Sequence, residues 1–492
     1  MFVTKPRLCV TVLADTTADL RQQRDQASRD ADLVELRLDA VADPDVAGAL
    51  ADRRGPVIVT CRPGWEGGQF RGSEEERQRL LADALERGAE YVDVEWRARF
   101  DALIARDPSR IVLSTHDYDG LPADLLARHH AMRATGAHTL KIAAKANALS
   151  DCIPLLDLGA QSGRDGGLVL LALGDYGVAT RIMAGRFGSA WTYSGNLDGI
   201  GQLTADEMIK EYRFRSLTDR TQLYGVVGGS VRHSVSPAMH NAAFRAALID
   251  AIYLPLPAAS ADDFVAFGRA IGISGASVTI PHKVSLFDRL DEVYAGARRI
   301  GAINTIRVEN GRWVGDNTDA GGFLQPLQER LMLDGLRAAV LGAGGAARAV
   351  ADALASCNCQ VRIHARRRSQ AEEVAMQTRA EAGRWPPEPG SWDLLINCTP
   401  VGQFPHEDET PVPMDQLTGR YVYDLVYNPP ATRLQQEAAS VGCLTLGGLD
   451  MLVAQAQEQF RWWTGVRASA EVMRRAASAR LARFGRHENH VV

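Results

Sequence analysis

The stretch Ala339-Val340-Leu341-Gly342-Ala343-Gly344-Gly345-Ala346-Ala347-Arg348-Ala349-Val350 places an apolar strand, a glycine turn and the start of a helix in direct succession. It fits the pattern G-x-G-x-x-G/A, in which Gly342 permits the turn and Gly344 lets a pyrophosphate approach the helix N-terminus. The pattern alone is a weak signal, but here the required strand and helix flank it. We therefore predict a dinucleotide site with contacts from Gly342, Ala343, Gly344, Gly345 and Ala346.

The next strand, Gln360–His364, runs into Ala365-Arg366-Arg367-Arg368-Ser369. This end lacks the Asp or Glu that would bond a free ribose 2′-hydroxyl. Arginines at this point favour a ribose 2′-phosphate, so the sequence predicts NADP as the cofactor, with Arg366 and Arg367 as contacts. The plain alternative is a basic turn exposed to solvent.

Upstream, between residues 222 and 330, polar residues follow several apolar segments. They occur within residues 228–241, 277–283, 301–305 and 315–322. Each segment alone would pass for turn chemistry, and a Ser236 that caps a helix is the simplest structural explanation of the first one. Together they supply a lysine, an aspartate, an asparagine and several hydroxyls, which suit the binding of a polyhydroxylated ring.

The first half of the chain contains eight short β-branched or leucine-rich segments. Stretches with helical periodicity, such as residues 74–87, separate most of them, and this alternation is typical of a parallel sheet. Eight such units in the first half predict a (β/α)8 barrel, whose usual size is about 250 residues. The segments are residues 8–14, 33–39, 57–62, 91–96, 111–115, 139–143, 168–173 and 189–193.

Catalytic groups of such barrels lie where the strands end. Lys141 lies between leucine and isoleucine on a strand predicted to be buried, where a cation is costly, so its amine is expected to attack a carbonyl and form a Schiff base. His116 is then expected to move protons, oriented by Glu66. The predicted substrate contacts at these ends are Glu35, Arg37, Arg62, Arg181 and Gln202.

Each of these residues also has a structural explanation. Lys141 could lie on a strand rim, His116 could be a satisfied core histidine, and Glu35 with Arg37 could form an ion pair in the barrel mouth. We favour a site because base, amine and guanidinium groups converge on the strand ends of one predicted barrel.

Length and composition set the outer limits of these predictions. The chain has 492 residues, which at about 150 residues per domain indicates roughly three domains, or two large ones. Lys and Arg total 55 against 60 Asp and Glu, which gives a net charge of −5. This charge does not indicate binding to nucleic acid or to an anionic membrane, so small-molecule partners are expected. Seven cysteines without a CxxC pair, and no signal-peptide layout, predict a cytoplasmic protein without disulfides, and no metal is expected.

Across roughly residues 5–215 the chain resembles the type I 3-dehydroquinate dehydratases. The resemblance implies that Lys141 forms an imine with the ketone of 3-dehydroquinate, and that His116, positioned by Glu66, moves the protons of the dehydration. Arg181 would bind the carboxylate and Arg62 a ring hydroxyl. The segments that carry the resemblance are Glu35-Leu36-Arg37, Thr60-Cys61-Arg62 with Glu66-Gly67-Gly68, Ser114-Thr115-His116-Asp117, Lys141-Ile142-Ala143 and Phe187-Gly188-Ser189-Ala190.

One segment departs from that family. Where the family commonly has Ser-Ala-Pro-Gly-Gln, this chain has Asp198-Gly199-Ile200-Gly201-Gln202. Gln202 is kept, but Asp198 replaces a small hydroxyl residue near a carboxylate substrate, so a weaker substrate contact is expected there.

From about residue 222 to 480 the chain resembles shikimate dehydrogenase, through the polar segments above and through residues 397–402, 424–429 and 447–456. The resemblance implies proton transfer by Lys283 with Asp319 as hydride moves to the C3 ketone. It also implies a carboxylate site at Ser234 and Ser236. Ring hydroxyls would be bound by Thr279, Asn304, Asp319 and Gln455, with Tyr427 near the substrate and further cofactor contacts at Thr399 and Gly448.

The two resemblances support each other, because the product of the first reaction is the substrate of the second. We predict an α/β chain with an N-terminal (β/α)8 TIM barrel (residues 1–218), a substrate domain (222–330) and a Rossmann NADP-binding domain (331–492) whose C-terminal helices return to the substrate domain. The predicted function is dehydration of 3-dehydroquinate and NADPH-dependent reduction to shikimate, in the tandem order of the fused plant enzyme.

Two alternatives remain at this point. A ligand sensor without turnover, like the fungal quinate-pathway repressors, would need carboxylate contacts but neither Lys141 with His116 nor Lys283 with Asp319. A quinate dehydrogenase that uses NAD is disfavoured by the serine pair and by the arginines after residue 365, and kinetics on quinate and shikimate would decide it.

Overall fold

A computed structural model describes residues 5–163, 166–197 and 199–487, with only the backbone of residues 484–487. The chain divides into two units, the first built mainly from residues 1–221 and the second mainly from residues 222–492. Asp198, the predicted departure from the family, lies outside the described residues.

Strands and helices alternate along most of the first unit. The strands are β1 (Arg7–Leu13), β2 (Leu33–Arg37), β3 (Val57–Thr60), β4 (Tyr91–Glu95), β5 (Ile111–Asp117), β6 (Thr139–Lys145), β7 (Leu168–Leu173) and β8 (Trp191–Ser194). The helices are α1 (Thr17–Ala27), α2 (Val46–Leu50), α3 (Glu74–Glu86), α4 (Asp101–Arg106), α5 (Leu125–Arg133), α6 (Ile153–Ser162) and α7 (Val178–Ile182).

The eight strands form one parallel sheet in the order β7-β6-β5-β4-β3-β2-β1-β8. At the two ends of this order, the Ala190 N–H donates to the Leu168 carbonyl oxygen at 2.7 Å, so the sheet nearly closes on itself. The predicted eight-stranded barrel is therefore confirmed. The strands β5 and β6 extend two residues beyond their predicted ends, so His116 lies on its strand and not after it.

Strand periodicity explains how polar groups come to lie inside this barrel. The interior apolar cluster includes Leu33, Ile58, Val112, Ala143 and Tyr193, one from each of five strands. Side chains two residues apart on a strand point to the same side of the sheet. On the same strands, polar residues two or four positions away from these apolar residues therefore also point into the barrel. They are Glu35, Thr60, Ser114, His116 and Lys141.

Local sequence also fixes the helices around the barrel. Ser73 begins α3 with a capping box, because its hydroxyl accepts from the Glu76 N–H at 3.2 Å while the Glu76 carboxylate accepts from the Ser73 N–H at 2.8 Å. The helix ends before Gly88, whose φ of +86° favours glycine. This confirms the helix predicted over residues 74–87 within one residue.

The second unit contains two further six-stranded sheets. Its strands are β9 (Gln222–Gly228), β10 (Ala251–Pro257), β11 (Gly275–Val278), β12 (Glu292–Val293), β13 (Thr305–Glu309), β14 (Arg312–Asp316), β15 (Arg337–Leu341), β16 (Gln360–His364), β17 (Glu381–Ala382), β18 (Leu394–Asn397), β19 (Tyr421–Asp424) and β20 (Leu444–Gly447). Its helices are α8 (Ser236–Ala246), α9 (Ala261–Ile271), α10 (His282–Ser285), α11 (Ala295–Ile300), α12 (Asp319–Gln328), α13 (Gly345–Ser356), α14 (Arg368–Thr378), α15 (Arg433–Ser440), α16 (Gly448–Thr464) and α17 (Ala470–His487).

The two sheets differ in topology. The first has the order β10-β9-β11-β13-β14-β12 and is mixed, because β13 runs antiparallel to both β11 and β14. The second has the order β17-β16-β15-β18-β19-β20 with parallel pairs throughout. Numbered from β15, this is the order 3-2-1-4-5-6 of the dinucleotide-binding fold, as the glycine turn after β15 predicts.

The last two helices belong to the core of the mixed sheet. Val453, Ala456 and Phe460 of α16 and Met473 of α17 join the apolar cluster that holds Tyr224 of β9. The C-terminal helices therefore pack with β9, while the predicted domain boundaries near residues 218 and 330 remain predictions.

Candidate active sites

The amine of Lys141 lies inside the barrel among acidic groups. Its Nζ is 3.1 Å from Asp93 Oδ2 and 3.6 Å from Glu35 Oε1, and it lies 4.3 Å from the centre of the Tyr193 ring. Glu35 is itself held by hydroxyl donors, Thr11 at 2.8 Å and Thr60 at 2.9 Å. The surroundings stabilise a positive charge on this nitrogen, which sequence analysis did not expect, because it passed over the acidic residues of β4.

Arg62 is another buried cation of the barrel. It lies 3.0 Å from Asp93 Oδ1 and 2.6 Å from Glu95 Oε1, and it donates to Ser114 Oγ at 2.9 Å. Asp93 and Glu95 were missed because only strand ends were searched, although the acids at alternate positions of a buried strand, Tyr91-Val92-Asp93-Val94-Glu95, were a signal in the sequence. Their placement makes an alternating network of charges across the barrel interior.

His116 and Glu66, which the sequence predicts as a base and the residue that orients it, lie in direct contact. Glu66 Oε1 lies 3.0 Å from His116 Nδ1 and also accepts from the His116 backbone N–H at 2.9 Å. Burial, together with Arg62 and Lys141, holds the pKa of His116 well below its usual range, so the imidazole is neutral at pH 7. Burial also raises the pKa of Glu66 to about 7, partly opposed by Arg62.

The remaining predicted residues of the barrel are held by nearby groups. Glu35 and Arg37 do not form the ion pair considered from the sequence, because Arg37 binds Asp39 through two hydrogen bonds of 2.8 Å. Arg181, from α7, is buried and donates to the Tyr193 and Ile200 carbonyl oxygens at 3.4 and 2.7 Å. The Gln202 side chain accepts from the Leu197 N–H at 3.1 Å, so it orders the loop after β8.

In the second unit, Lys283 and Asp319 form the predicted pair, with Nζ 2.5 Å from Oδ2. The other oxygen of Asp319 accepts from the Asn304 Nδ2 at 2.7 Å, and the same amide donates to Gln455 Oε1 at 3.3 Å. Gly322 makes this grouping possible, since a side chain there would collide with the backbone of Gln455 and separate α12 from α16. Four predicted residues thus meet at one point.

The two predicted serines lie at the start of α8. The helix begins at Ser236, but Val235 occupies the cap position, so Ser236 does not serve as the N-cap considered from the sequence. Instead the Ser236 N–H donates to Ser234 Oγ at 3.2 Å. Tyr427 is partly buried, and burial of its hydroxyl raises the pKa of that group, while the side chain hydrogen-bonds with Ser234. Thr279 packs against the glycine turn at Gly228.

A buried residue of α16, Gln459, was missed by sequence analysis. Its amide donates to the Asn304 carbonyl oxygen at 3.1 Å and to Thr305 Oγ1 at 2.8 Å, and its Oε1 accepts from Ser277 at 2.6 Å. It therefore fixes the backbone beside Asn304. The signal is only its position four residues after Gln455, which places both side chains on one face of the helix.

The glycine turn after β15 leaves open space for a ligand. Gly342 has a φ of +107°, in the region that favours glycine, and a Cβ on Gly344 would meet no atom within 4 Å. The helix α13 begins at Gly345 with no acidic residue in its first turn, so its N-terminus is suited to an anion. A Cβ on Gly345 would lie 2.9 Å from Lys283 Cβ, so this turn approaches the lysine closely.

The basic turn after β16 contains one arginine free for a ligand. Arg368 pairs with Glu372 at 2.8 Å, and Arg367 donates to Gln370 at 3.1 Å. Within the described part of the chain, the exposed Arg366 has no hydrogen-bond or ion-pair partner.

Two further residues predicted to contact the cofactor, Thr399 and Gly448, follow the strands β18 and β20. Thr399 is held by Asn397, whose Oδ1 accepts from the Thr399 hydroxyl at 2.6 Å. Asn397 donates in turn to Asp424 at 2.9 Å, and burial raises the pKa of Asp424 to about 6. Gly448, the first residue of α16, lies against the Leu425 carbonyl, where any side chain would collide.

Neither unit offers a metal site among the residues described. In residues 5–163, 166–197 and 199–487, no group of three or more His, Cys, Asp and Glu is placed to hold an ion. No described helix is long and apolar enough to span a bilayer.

Known families match both units. Residues 8–219 match type I 3-dehydroquinase, residues 226–306 the shikimate dehydrogenase substrate binding domain, and residues 448–477 the shikimate 5′-dehydrogenase C-terminal domain. The bifunctional 3-dehydroquinate dehydratase/shikimate dehydrogenase, chloroplastic, of Arabidopsis thaliana is 32% identical over 507 residues, covering 94% of this chain and 83% of its own length.

The second unit also has single-function relatives. The shikimate dehydrogenase (NADP(+)) of Methanopyrus kandleri is 40% identical and covers 54% of this chain and 98% of its own length. A crystal structure of a shikimate dehydrogenase in complex with NADP+ is 35% identical, with a TM-score of 0.51, and covers 54% of this chain and 97% of its own. The second unit therefore resembles a whole enzyme that occurs alone elsewhere.

Proposed function

The chain belongs to the family of bifunctional 3-dehydroquinate dehydratase/shikimate dehydrogenases, and from this premise we propose how its residues perform the two reactions. The barrel dehydrates 3-dehydroquinate, and the second unit reduces 3-dehydroshikimate to shikimate with NADPH. The observation that carries this conclusion is the match of 94% of the chain to one relative with both activities. A sensor without turnover would have no need of Lys141 with His116 or of Lys283 with Asp319.

In the barrel, Lys141 condenses with the ketone of 3-dehydroquinate. In the net reaction, the Lys141 ammonium nitrogen forms a double bond to the ketone carbon, and the ketone oxygen leaves as water with two of the three ammonium protons, so the third proton stays on the iminium nitrogen. The resulting iminium draws electrons from the adjacent C–H bond and so acidifies it. The burial and the acidic neighbours of Lys141 support this assignment, since an iminium carries the positive charge that these neighbours stabilise.

His116 acts as the base on that C–H bond and then as the acid. Its neutral imidazole takes the proton, and the same proton is delivered to the departing ring hydroxyl, which leaves as water. Glu66 accepts from Nδ1–H, which presents Nε2 as the basic nitrogen, and its charge stabilises the imidazolium while the proton is held.

The other polar residues of the barrel hold the substrate. Arg181 binds the carboxylate, because its buried guanidinium suits a charge-assisted contact. Arg62 binds a ring hydroxyl, and Glu35, Arg37 and Gln202 contact the rest of the ring and the loop above it.

In the second unit, Lys283 donates a proton to the C3 oxygen as the ketone becomes a hydroxyl. Asp319 holds the ammonium group in place, and Asn304 holds Asp319. The ring is positioned by hydroxyl and amide groups on both sides of the cleft: Ser234, Ser236, Thr279, Tyr427 and Gln455. The two serines bind the carboxylate through hydroxyl and backbone N–H donors.

The residues of the parallel sheet fit NADP. The open glycine turn at residues 342–346 and the N-terminus of α13 suit the pyrophosphate, and the exposed Arg366 suits the 2′-phosphate. Thr399 and Gly448 would contact the cofactor from the neighbouring strand ends. When bound, NADPH supplies the hydride for the reduction. Lys283 lies against Gly345, so its proton-donating nitrogen is carried by a stem that packs on the cofactor turn.

We further propose domain boundaries near residues 218 and 330, and function in a reducing compartment such as the cytoplasm. The second proposal is supported by the seven cysteines, all of which are free thiols. Neither reaction as written needs a metal ion.

Borohydride trapping tests the barrel mechanism. The purified chain is mixed with 3-dehydroquinate, reduced with borohydride, and mapped by mass spectrometry. A reduced adduct on the peptide that contains Lys141 is expected, and the Lys141→Ala protein should carry none. An adduct on another lysine, or active wild-type protein that yields no adduct, would contradict the proposed imine.

A further inference from the structure

Asp93 of β4 is a buried acid to which the reactions described above give no role. Its side chain is completely buried, with Oδ2 3.1 Å from Lys141 Nζ and Oδ1 3.0 Å from Arg62. The Ser114 hydroxyl donates to Oδ1 at 2.6 Å. One oxygen of this carboxylate is thus held by two partners, while the other faces the reacting nitrogen.

The proposed condensation begins and ends with a positive charge on that nitrogen. An ammonium group and a ketone become an iminium and water, so one unit of charge enters and one remains on Nζ. In a buried site, a fixed anion at hydrogen-bond distance stabilises this charge strongly and needs no reorganisation during the reaction. The acids around Lys141 therefore have a role after substrate binds and not only in the free protein.

Only one of these acids is placed to accept the last N–H. The ammonium has three protons to donate, whereas the iminium has one. Glu35 is 3.6 Å away and already accepts from two hydroxyls, on Thr11 and Thr60. Asp93 Oδ2 at 3.1 Å is within hydrogen-bond range and is the closer acceptor.

Asp93 also stays ionised in this position. Burial favours its neutral form, but Arg62 and Lys141 outweigh burial and hold the pKa of Asp93 well below its usual range. A carboxylate held this firmly does not take up the protons of the reaction, which leaves proton transfer to His116.

We propose that Asp93 is a further catalytic residue of the barrel, whose carboxylate accepts the N–H of the Lys141 iminium and compensates its charge. This inference rests on the imine assigned to Lys141 under the proposed function. It separates Asp93 from Glu95, which shares Arg62 as a partner but has no contact with Lys141 among the described residues.

The test compares Asp93→Asn with Glu95→Gln, because each replaces one acidic partner of Arg62 by an amide of the same shape. Each protein is equilibrated with the product 3-dehydroshikimate and then treated with borohydride, so the adduct on Lys141 reports the iminium population and not turnover. For Asp93→Asn we expect at least a tenfold lower adduct yield and a kcat about a hundredfold lower, the loss typical of a removed charge-stabilising group. Glu95→Gln should keep an adduct yield within twofold of wild type.

The outcomes separate the inference from its premise. Wild-type protein without an adduct on Lys141 would contradict the imine itself. Wild-type adduct with equal yields in Asp93→Asn, or equal losses in both variants, would overturn the role of Asp93 alone. If Asp93→Asn does not fold, Ser114→Ala carries the test: removing a donor to Oδ1 should lower kcat several-fold at unchanged melting temperature, and an unchanged kcat would overturn the proposal.

Discussion

Lys283 Nζ lies 2.5 Å from Asp319 Oδ2, although 36 residues separate them in the chain. The lysine is the second residue of α10, the short helix after β11, and the aspartate begins α12 after β14. The antiparallel pair β13 and β14 returns the chain to the same end of the sheet, so the two residues meet. Asn304, which directly precedes β13, then binds the aspartate from the side.

Replacement of either partner should stop the reduction and leave the dehydration intact. Lys283→Ala removes the proton donor, and Asp319→Asn removes the charge that holds it, so kcat for 3-dehydroshikimate reduction should fall by roughly 10²- to 10⁴-fold. Dehydration of 3-dehydroquinate by the same preparation serves as the folding control. Loss of both activities in a folded protein would contradict two independent sites.

Lys141→Ala should have the opposite effect. Without the amine no imine forms, so dehydration should fall to the detection limit while reduction of 3-dehydroshikimate continues at the wild-type rate. The matched control is Lys145→Ala, which removes the exposed lysine at the end of the same strand and should leave both activities unchanged. Residual dehydration near the wild-type rate in Lys141→Ala would refute the assignment.

Arg366 should set the preference for NADP. A lost charge-assisted contact to the 2′-phosphate is worth about 1.5–3 kcal/mol, so Arg366→Ala should raise the KM for NADPH roughly 10- to 100-fold without a change in the KM for NADH. Arg368→Ala is the matched control, because that guanidinium already pairs with Glu372. Equal effects of the two substitutions would show that the turn acts only through its net charge.

Protonation of Glu66 should lower the kcat of the dehydratase as the pH falls below about 7. Its raised pKa, about 7, means that the carboxylate is lost as the pH falls through this value, and with it the stabilisation of the His116 imidazolium. We expect kcat to fall below pH 7 in the wild type. Glu66→Gln has no charge to lose, so its lower plateau should extend toward more acidic pH, until His116 itself is protonated. If kcat falls at the same pH in the wild type and in Glu66→Gln, the titrating group is not Glu66.

Local patterns were sufficient to predict the architecture. The strand Gln360–His364 is predicted without error, and the eight barrel strands are found at their predicted positions, since runs of β-branched residues between helical stretches depend on neighbours in sequence. The glycine turn predicts the parallel sheet for the same reason. The antiparallel hairpin of β13 and β14 was not anticipated, because pairing between strands is a tertiary property.

The sites were only partly predictable. The reacting lysines and their partners could be found because they follow strands or lie in recognisable segments. Asp93 and Glu95 lie within a strand. Their importance to the site comes from contacts with cations on other strands, such as those of Asp93 with Arg62 and Lys141, and local sequence does not reveal such contacts. Gln459 gains its importance from contacts with residues about 150 positions away, such as Asn304, which no local pattern reveals.

One assay tests the central claim most directly. The purified chain is mixed with 3-dehydroquinate and NADPH, and NADPH oxidation is followed together with the products. Two active sites in one chain predict oxidation with shikimate as the final product, and accumulation of 3-dehydroshikimate when NADPH is left out. Unchanged 3-dehydroquinate would contradict the barrel assignment, and 3-dehydroshikimate that persists in the presence of NADPH would contradict the assignment of the second unit.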